Sequence, residues 1–308
     1  MESFTVVLPY FLAGISVGGQ YALIAIGYTM VYGILRLINF AHADVFMVSG
    51  LLMVYLVAAL PLMIGAPIVI ILTVLLGFTI ERVAYKPLRN APRMSVMVSA
   101  IAVSYLLQNS ALYITGGLNK NYPPLPWISE PVTILGVTTK MVTLITPFLT
   151  VVLVIALVAL INNTKIGTAM RAVSKDFETS QLMGIKINSV ISMTFIIGSF
   201  LASIGSMLYF TNYPGVIPQS GAMPGLKAFV SAVFGGIGSI PGAVLGGFTI
   251  GLCESFLKGL DTILIYFGVI STPIEFATFS DAFTFVLLIV ILLFRPTGLI
   301  GEKITDKV

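Results

Sequence analysis

The chain has 308 residues, 57% of them hydrophobic and 9% charged, with a formal net charge of +4. Soluble domains carry about a quarter charged residues, so a soluble globular fold is excluded. The solvent must be lipid, where a spanning helix needs roughly 20 mainly apolar residues.

The N-terminal stretch MESFTVVLPYFLAG has no Lys or Arg ahead of its apolar run and no A-x-A cleavage site after it. It is expected to be a retained first span rather than a secretory signal. Apolar runs then predict spans at Leu8–Leu35, Asn39–Leu60, Pro67–Ile80, Ser95–Thr115, Met141–Ile161, Val190–Thr211 and Phe279–Phe294. An eighth apolar segment, Leu226–Leu257, is interrupted by GGIGSIPGAVLGG. Two short helices, Leu226–Phe234 and Ala243–Leu257, are expected around a hinge of Gly235, Gly236, Gly238, Pro241 and Gly242, entering and returning on one side. An ordinary helix pair joined by a flexible turn is the alternative. The fold class is thus an all-α polytopic membrane protein, with about seven full spans plus a Gly/Pro-broken hairpin, eight or nine helices in all. Residues 1–308 read as a single transmembrane domain.

Basic residues cluster between the third and fourth spans (Arg82, Lys86, Arg89, Arg93), between the fifth and sixth (Lys165, Arg171, Lys175, Lys186) and after the last (Arg295, Lys303, Lys307). The positive-inside bias puts the N-terminus outside and the C-terminus in the cytoplasm. The Pro-rich connection Asn119–Pro131 holds the only tryptophan, Trp127, and reads as a stiff outer loop with an interfacial anchor.

Sites for chemistry are scarce. No G-x-x-x-x-G-K-[ST] phosphate loop occurs, and His42 and Cys253 are the only residues of their kinds, which argues against a nucleotide hydrolase, a metal site or a serine-nucleophile enzyme. The positive charge speaks to membrane orientation, not to nucleic acid. Arg36, His42 and Asp44 fall where the first two spans meet, expected at the inner face, with Asn39 capping the second span and Asp44 complementing its dipole. Glu254 stands isolated in sequence. The lack of a coupling-ion site weighs against a secondary carrier.

What remains within the spans is small and neutral-polar. Ser199, Ser203 and Ser206 lie on one helical face, which suits close helix packing or a pathway without fixed charge. Gln20, Tyr21, Gln108, Asn109, Ser199 and Ser203 are the pathway candidates, the amides foremost because an amide in lipid needs a partner.

The connection Met170–Val190 is charged where the rest of the chain is not. Ser174 or Asp176 is suited to cap a helix, Glu178 follows in its first turn, and Gly184 is suited to end it in a left-handed cap. About eight helical residues, some 12 Å, would lie along the membrane surface. Phe177, Leu182 and Met183 offer apolar contacts, as a helix docking into another protein's groove would.

The spacing Glu178-Thr179-Ser180-x-x-x-Gly184 resembles the E-A-A-x-x-x-G loop of ABC-importer permeases, with Thr179 and Ser180 in place of two alanines; the later I-x-L-P is not evident. Further stretches, GGQYALIAIGYTMVYGILRLINFAHADVFMVSG (Gly18–Gly50), IERVAYKPLR (Ile80–Arg89), MRAVSKD (Met170–Asp176), GLKAFVSAVFGGIGSIPGAVLGG (Gly225–Gly247) and RPTGLIG (Arg295–Gly301), are similar to LivH-type permease subunits of high-affinity branched-chain amino-acid importers. The likeness runs over nearly the whole chain. It implies a multi-pass protein of a bacterial or archaeal cytoplasmic membrane that imports leucine, isoleucine or valine. The implied partners are a second, LivM-like permease subunit, two ATPase subunits and a periplasmic or lipid-anchored binding protein. ATP and magnesium would be bound by the ATPases, with no cofactor on this chain. The resemblance makes Asp176, Phe177, Glu178, Thr179, Ser180, Met183 and Gly184 the ATPase-coupling helix. A related permease for urea, short amides or other amino acids is the alternative, and a secondary carrier a more remote one.

Overall fold

The computed structural model describes residues 2–89 and 91–301, with side chains from residue 5 onward. Lys303 and Lys307, two of the basic residues used for orientation, lie outside the described residues. The helices are α1 (Glu2–Leu35), α2 (His42–Ala59), α3 (Leu62–Ile80), α4 (Arg93–Thr115), α5 (Met141–Asn163), α6 (Lys165–Lys175), α7 (Phe177–Leu182), α8 (Ile187–Asn212), α9 (Ala222–Gly235), α10 (Ile240–Tyr266) and α11 (Ser280–Phe294). Among the described residues, eight spans are long and apolar enough to cross a membrane: all of these helices but α6, α7 and α9, with α11 counted together with the 3-10 turn before it (Phe276–Phe294). Among the described residues four short strands accompany them: β1 (Lys120–Asn121) pairs antiparallel with β4 (Gly215–Val216), and β2 (Pro131–Ile134) with β3 (Val137–Lys140). The protein is an all-α polytopic membrane protein, as its composition predicts.

One end of the bundle carries α6, α7 and the basic Arg82–Arg93 connection, and is called the loop end; the strands mark the far end. At 34 residues α1 is about 50 Å long and runs the full depth between them. It packs along α10 and also against α8, α5 and α9, because its inner faces are built from small residues. Gly14 and Gly18 meet Gly247 and Gly251, the same four-residue spacing on each helix. A Cβ on Gly18 would lie 2.7 Å from the Cα of Phe248, and one on Gly247 2.7 Å from the nitrogen of Ala22. The helices therefore touch backbone to backbone, which small residues permit in lipid. Ser255 closes the far end of this contact by donating to the Tyr10 carbonyl at 2.7 Å.

Three expectations are corrected. First, the second helix of the Gly/Pro-broken segment is not the short Ala243–Leu257: α10 runs 27 residues, and the break ahead of it sits at the loop end, near Gly33 and against the C-terminal segment. Gly236 (φ +115°) and Gly238 (φ +98°) take the left-handed conformations that glycine tolerates. Pro241 and Gly242 belong to the first turn of α10, which Ser239 caps through the Gly242 amide at 3.2 Å. The amides of Leu299 and Ile300 bond to the carbonyls of Phe234 and Gly235 at 3.0 and 2.8 Å, so the turn is stitched to the chain's last described residues.

Second, residues 36–41 do not stay at the bundle face. They turn back inward, and the His42 ring lies against Gly27, about 12 Å short of the end of α1 at 1.5 Å per residue. The start of α9 meets the same level, since Gly221 and Gly225 abut Ala43. Two helices thus begin inside the bundle, the pattern of discontinuous spans in transporters. Third, Asn39 does not cap α2, whose N-cap is Ala41 with no side-chain bond. Asn39 accepts the Tyr85 hydroxyl at 2.8 Å instead.

Gly18→Val drives a branched side chain into the α10 backbone, where overpacking costs about 1–3 kcal/mol or more. It is expected to lower the apparent Tm and the monodisperse yield of detergent-solubilised protein. Gly33→Ala, whose Cβ would meet nothing nearer than 3.9 Å, is expected to leave both unchanged.

Candidate functional site

The charged connection folds as two helices, not one. Thr164 caps α6 by accepting the Gly167 amide at 3.1 Å, and Arg171 ties the corner back to the Ile161 carbonyl (2.8 Å) and Asn162 Oδ1 (2.7 Å). Burial of Gly167, Met170 and Val173 seats one face of this 11-residue helix on the bundle. Asp176 then caps α7, accepting the Thr179 amide at 3.0 Å. The helix is six residues long, shorter than the expected eight. Gly184 ends it at φ +83°, with the amides of Gly184 and Ile185 bonding to the carbonyls of Gln181 and Ser180 at 3.0 and 3.1 Å. Both caps lie where the sequence puts them.

Ser180 is buried, while Phe177 is 40%, Leu182 87% and Met183 78% exposed. The expected apolar contacts of Leu182 and Met183 are therefore not made within this chain. Beside α7 a groove of about 800 Å³ opens, lined by Leu35, Tyr85, Arg89, Phe177, Gln181 and Ile187 among others. Its floor rests on an ion pair that sequence spacing does not reveal. After α3 the chain runs through a π-helical turn, Glu81–Tyr85, which points the Glu81 carboxylate into the bundle. There it is fully buried and takes the Arg89 guanidinium and, at 2.7 Å, the Ser192 hydroxyl. Arg89 also donates to Asn188 Oδ1, fixing the start of α8.

The pathway candidates are spread over α1, α4 and α8. Gln20 is fully buried, and neither of its amide atoms has a partner. Ser203 accepts from Ser49 at 3.0 Å, between α8 and α2. Ser199 packs where a Cβ on Gly77 would strike it. On α4, Gln108 donates to Asp44 Oδ1 at 2.9 Å, and Asn109 turns back to the Tyr105 carbonyl at 2.7 Å on an exposed face.

Tyr21 leads to a cluster that the sequence conceals. Its hydroxyl donates to Glu254 Oε2 at 2.8 Å, while Glu254 Oε1 accepts Lys227 at 2.7 Å and Lys258 at 2.5 Å. Lys227 also meets Asp281 Oδ1 at 2.5 Å. Isolated in sequence, Glu254 is saturated in the fold, and the bundle interior holds fixed charge. The signal was there in part: Glu254 and Lys258 share a helical face at i, i+4, and Lys227 interrupts an apolar helix. Asp281 gives no such signal.

The sequence matches the family described as "Branched-chain amino acid transport system / permease component" over residues 10–292. The chain belongs to that permease family. It is 38% identical over 314 residues to the Pseudomonas aeruginosa high-affinity branched-chain amino acid transport system permease protein BraD, covering 98% of each chain. It is 37% identical over 326 residues to the corresponding LivH protein of Salmonella typhimurium, covering 100% of this chain and 99% of that one. A probable branched-chain amino acid transport permease protein, LivH of Methanocaldococcus jannaschii, is 25% identical over 91% of this chain and 88% of its own. In this permease, then, the end that displays α7 and the interior that holds Tyr21 and Glu254 are distinct regions.

Arg89→Ala is expected to destabilise the permease by roughly 3–5 kcal/mol, because it strands the Glu81 carboxylate without a counter-charge. Adding Glu81→Gln to that variant is expected to recover part of the loss. Equilibrium unfolding in detergent reads both, and equal stability of the single and double variants would contradict the pairing.

Proposed function

We propose that this chain is a translocating subunit of an ATP-driven importer for branched-chain amino acids, resident in the cytoplasmic membrane of a bacterium or archaeon. The loop end faces the cytoplasm and the N-terminus lies outside. Hydrolysis occurs in separate ATPase subunits, which bind ATP and magnesium and grip α7. A second permease subunit completes the pathway, and a binding protein delivers substrate at the far end.

The observation that carries this reading is the display of α7. A six-residue helix held by two caps projects Leu182 and Met183 into solvent beside a large groove. Exposed apolar side chains of that kind, on an end studded with Arg and Lys, are what a partner's cleft would cover. The motions of a docked ATPase would pass through α6 and the Arg89–Glu81 pair to α8 and α3. Differential binding of the ATPase's two states to this end must bias the spans, because a partner indifferent to their arrangement shifts nothing.

Gly184→Val forces a β-branched residue into a left-handed conformation, at a cost of about 1–3 kcal/mol, with no steric clash around it. Uptake and binding-protein-stimulated ATP hydrolysis are expected to fall together at normal membrane abundance. Wild-type values for both would remove α7 from the coupling path. The six pathway candidates remain part of the proposal, with Gln20 the sharpest case, because a buried amide without a partner lowers stability by about 1–3 kcal/mol. Gln20→Leu is expected to hold or raise the Tm while changing uptake kinetics; unchanged kinetics would make Gln20 a packing residue.

A further inference from the structure

The charged cluster around Glu254 has a form that packing does not require. It lies at the level of Tyr21, near the middle of α1, and lines a pocket of about 250 Å³ below the far-end residue Tyr213. Two lysines and two acids make its net charge zero (Lys227 and Lys258 against Glu254 and Asp281). Ionised side chains inside a span are costly, and they face a bundle interior or cavity where they meet partners or substrate.

The four charges divide by exposure. Lys227 and Glu254 are the buried pair, with side chains 7% and 3% exposed. Glu254 already accepts three donors, and Lys227 is shared between two acids. Lys258 and Asp281 form the outer pair, 44% and 46% exposed. Of its three N–H donors Lys258 gives one to Glu254, and Asp281 meets Lys227 through Oδ1. Each therefore retains hydrogen-bonding capacity toward the pocket, one cationic and one anionic. Tyr209, Tyr213, Met223 and Pro224 bring apolar surface to a wall that Tyr21 and Ser280 complete.

We propose that this pocket is the head-group site for a zwitterionic α-amino acid, with Lys258 receiving the α-carboxylate and Asp281 the α-ammonium. Tyr209, Tyr213 and Met223 take the apolar side chain. Lys227 and Glu254 are positioning residues that hold the outer charges in place. A zwitterion entering between Lys258 and Asp281 leaves every charge with a counter-charge, so occupancy buries no unpaired ion. Such a site needs no coupling ion to admit its substrate. The proposal rests on the amino-acid import reading and specifies where in this chain the substrate is held.

The test is equilibrium binding of radiolabelled leucine to the permease complex in lipid nanodiscs, without the binding protein. Unlabelled leucine, leucinamide (no carboxylate) and 4-methylpentanoate (no ammonium) are the competitors. The wild type is expected to prefer leucine to each analogue by roughly tenfold or more. Lys258→Gln should abolish the preference over leucinamide and keep that over 4-methylpentanoate; Asp281→Asn should do the reverse. Each ratio is taken within one protein, so reduced abundance cancels. A cluster that only clamps α9, α10 and α11 together would leave both preferences intact in both variants, and that result overturns the site. Absence of saturable leucine binding in the wild type overturns it too. If the same complex, given its ATPases and binding protein, still takes up leucine, the import reading survives the loss of the site. If it takes up none, that reading falls as well.

Discussion

The approach of α1 and α10 to backbone contact is the constraint on which the rest of the bundle depends. Gly14 and Gly18 against Gly247 and Gly251 leave no room for side chains between the two helices, and lipid offers no hydrophobic drive to hold them apart or together. Close packing supplies the attraction. With that register set, Tyr21 falls beside Glu254, and Gly33 falls beside the turn that joins α9 to α10. The C-terminal segment then closes over that turn through Leu299 and Ile300. One steric condition thus places an interior cluster and an end.

The second governing condition is that buried polar groups find partners. Glu81 and Glu254 are both almost wholly removed from solvent, and each carboxylate is met by a cation and a hydroxyl. They nevertheless differ in kind. Glu81 is locked into the scaffold next to the groove at the loop end. Around Glu254, half-exposed charges remain at a pocket wall. The same chemistry is structural in one place and available to a ligand in the other, and exposure of the outer partners makes the difference.

The spans were legible because each is a long apolar run, and the caps of α7 because Asp176 and Gly184 are residue types with a local reason to be there. Helix α6 escaped notice since its 11 residues mix Lys165, Arg171 and Lys175 with a narrow apolar stripe of Gly167, Met170 and Val173, which reads as a solvated linker. The glycine break was visible, yet its depth was not. Whether GGIGS lies at mid-bundle or at an end depends on which neighbour stitches it, and that neighbour is some 60 residues away in sequence, as backbone bonds from Leu299 and Ile300 reveal. The inward return of residues 36–41 was equally hidden, because it follows from the space that Gly27 leaves for His42. Long-range pairing of Lys227 with Asp281 has no local signature at all.

The central claim is that this chain moves its substrate only when a separate ATPase works on its loop end. Proteoliposomes holding this chain with its partner permease and ATPases, supplied with the binding protein and leucine on the far-end side, test it directly. Leucine should accumulate when ATP is present on the loop-end side and should not when a non-hydrolysable analogue replaces it. Accumulation driven by an ion gradient in liposomes that contain no ATPase would contradict the account.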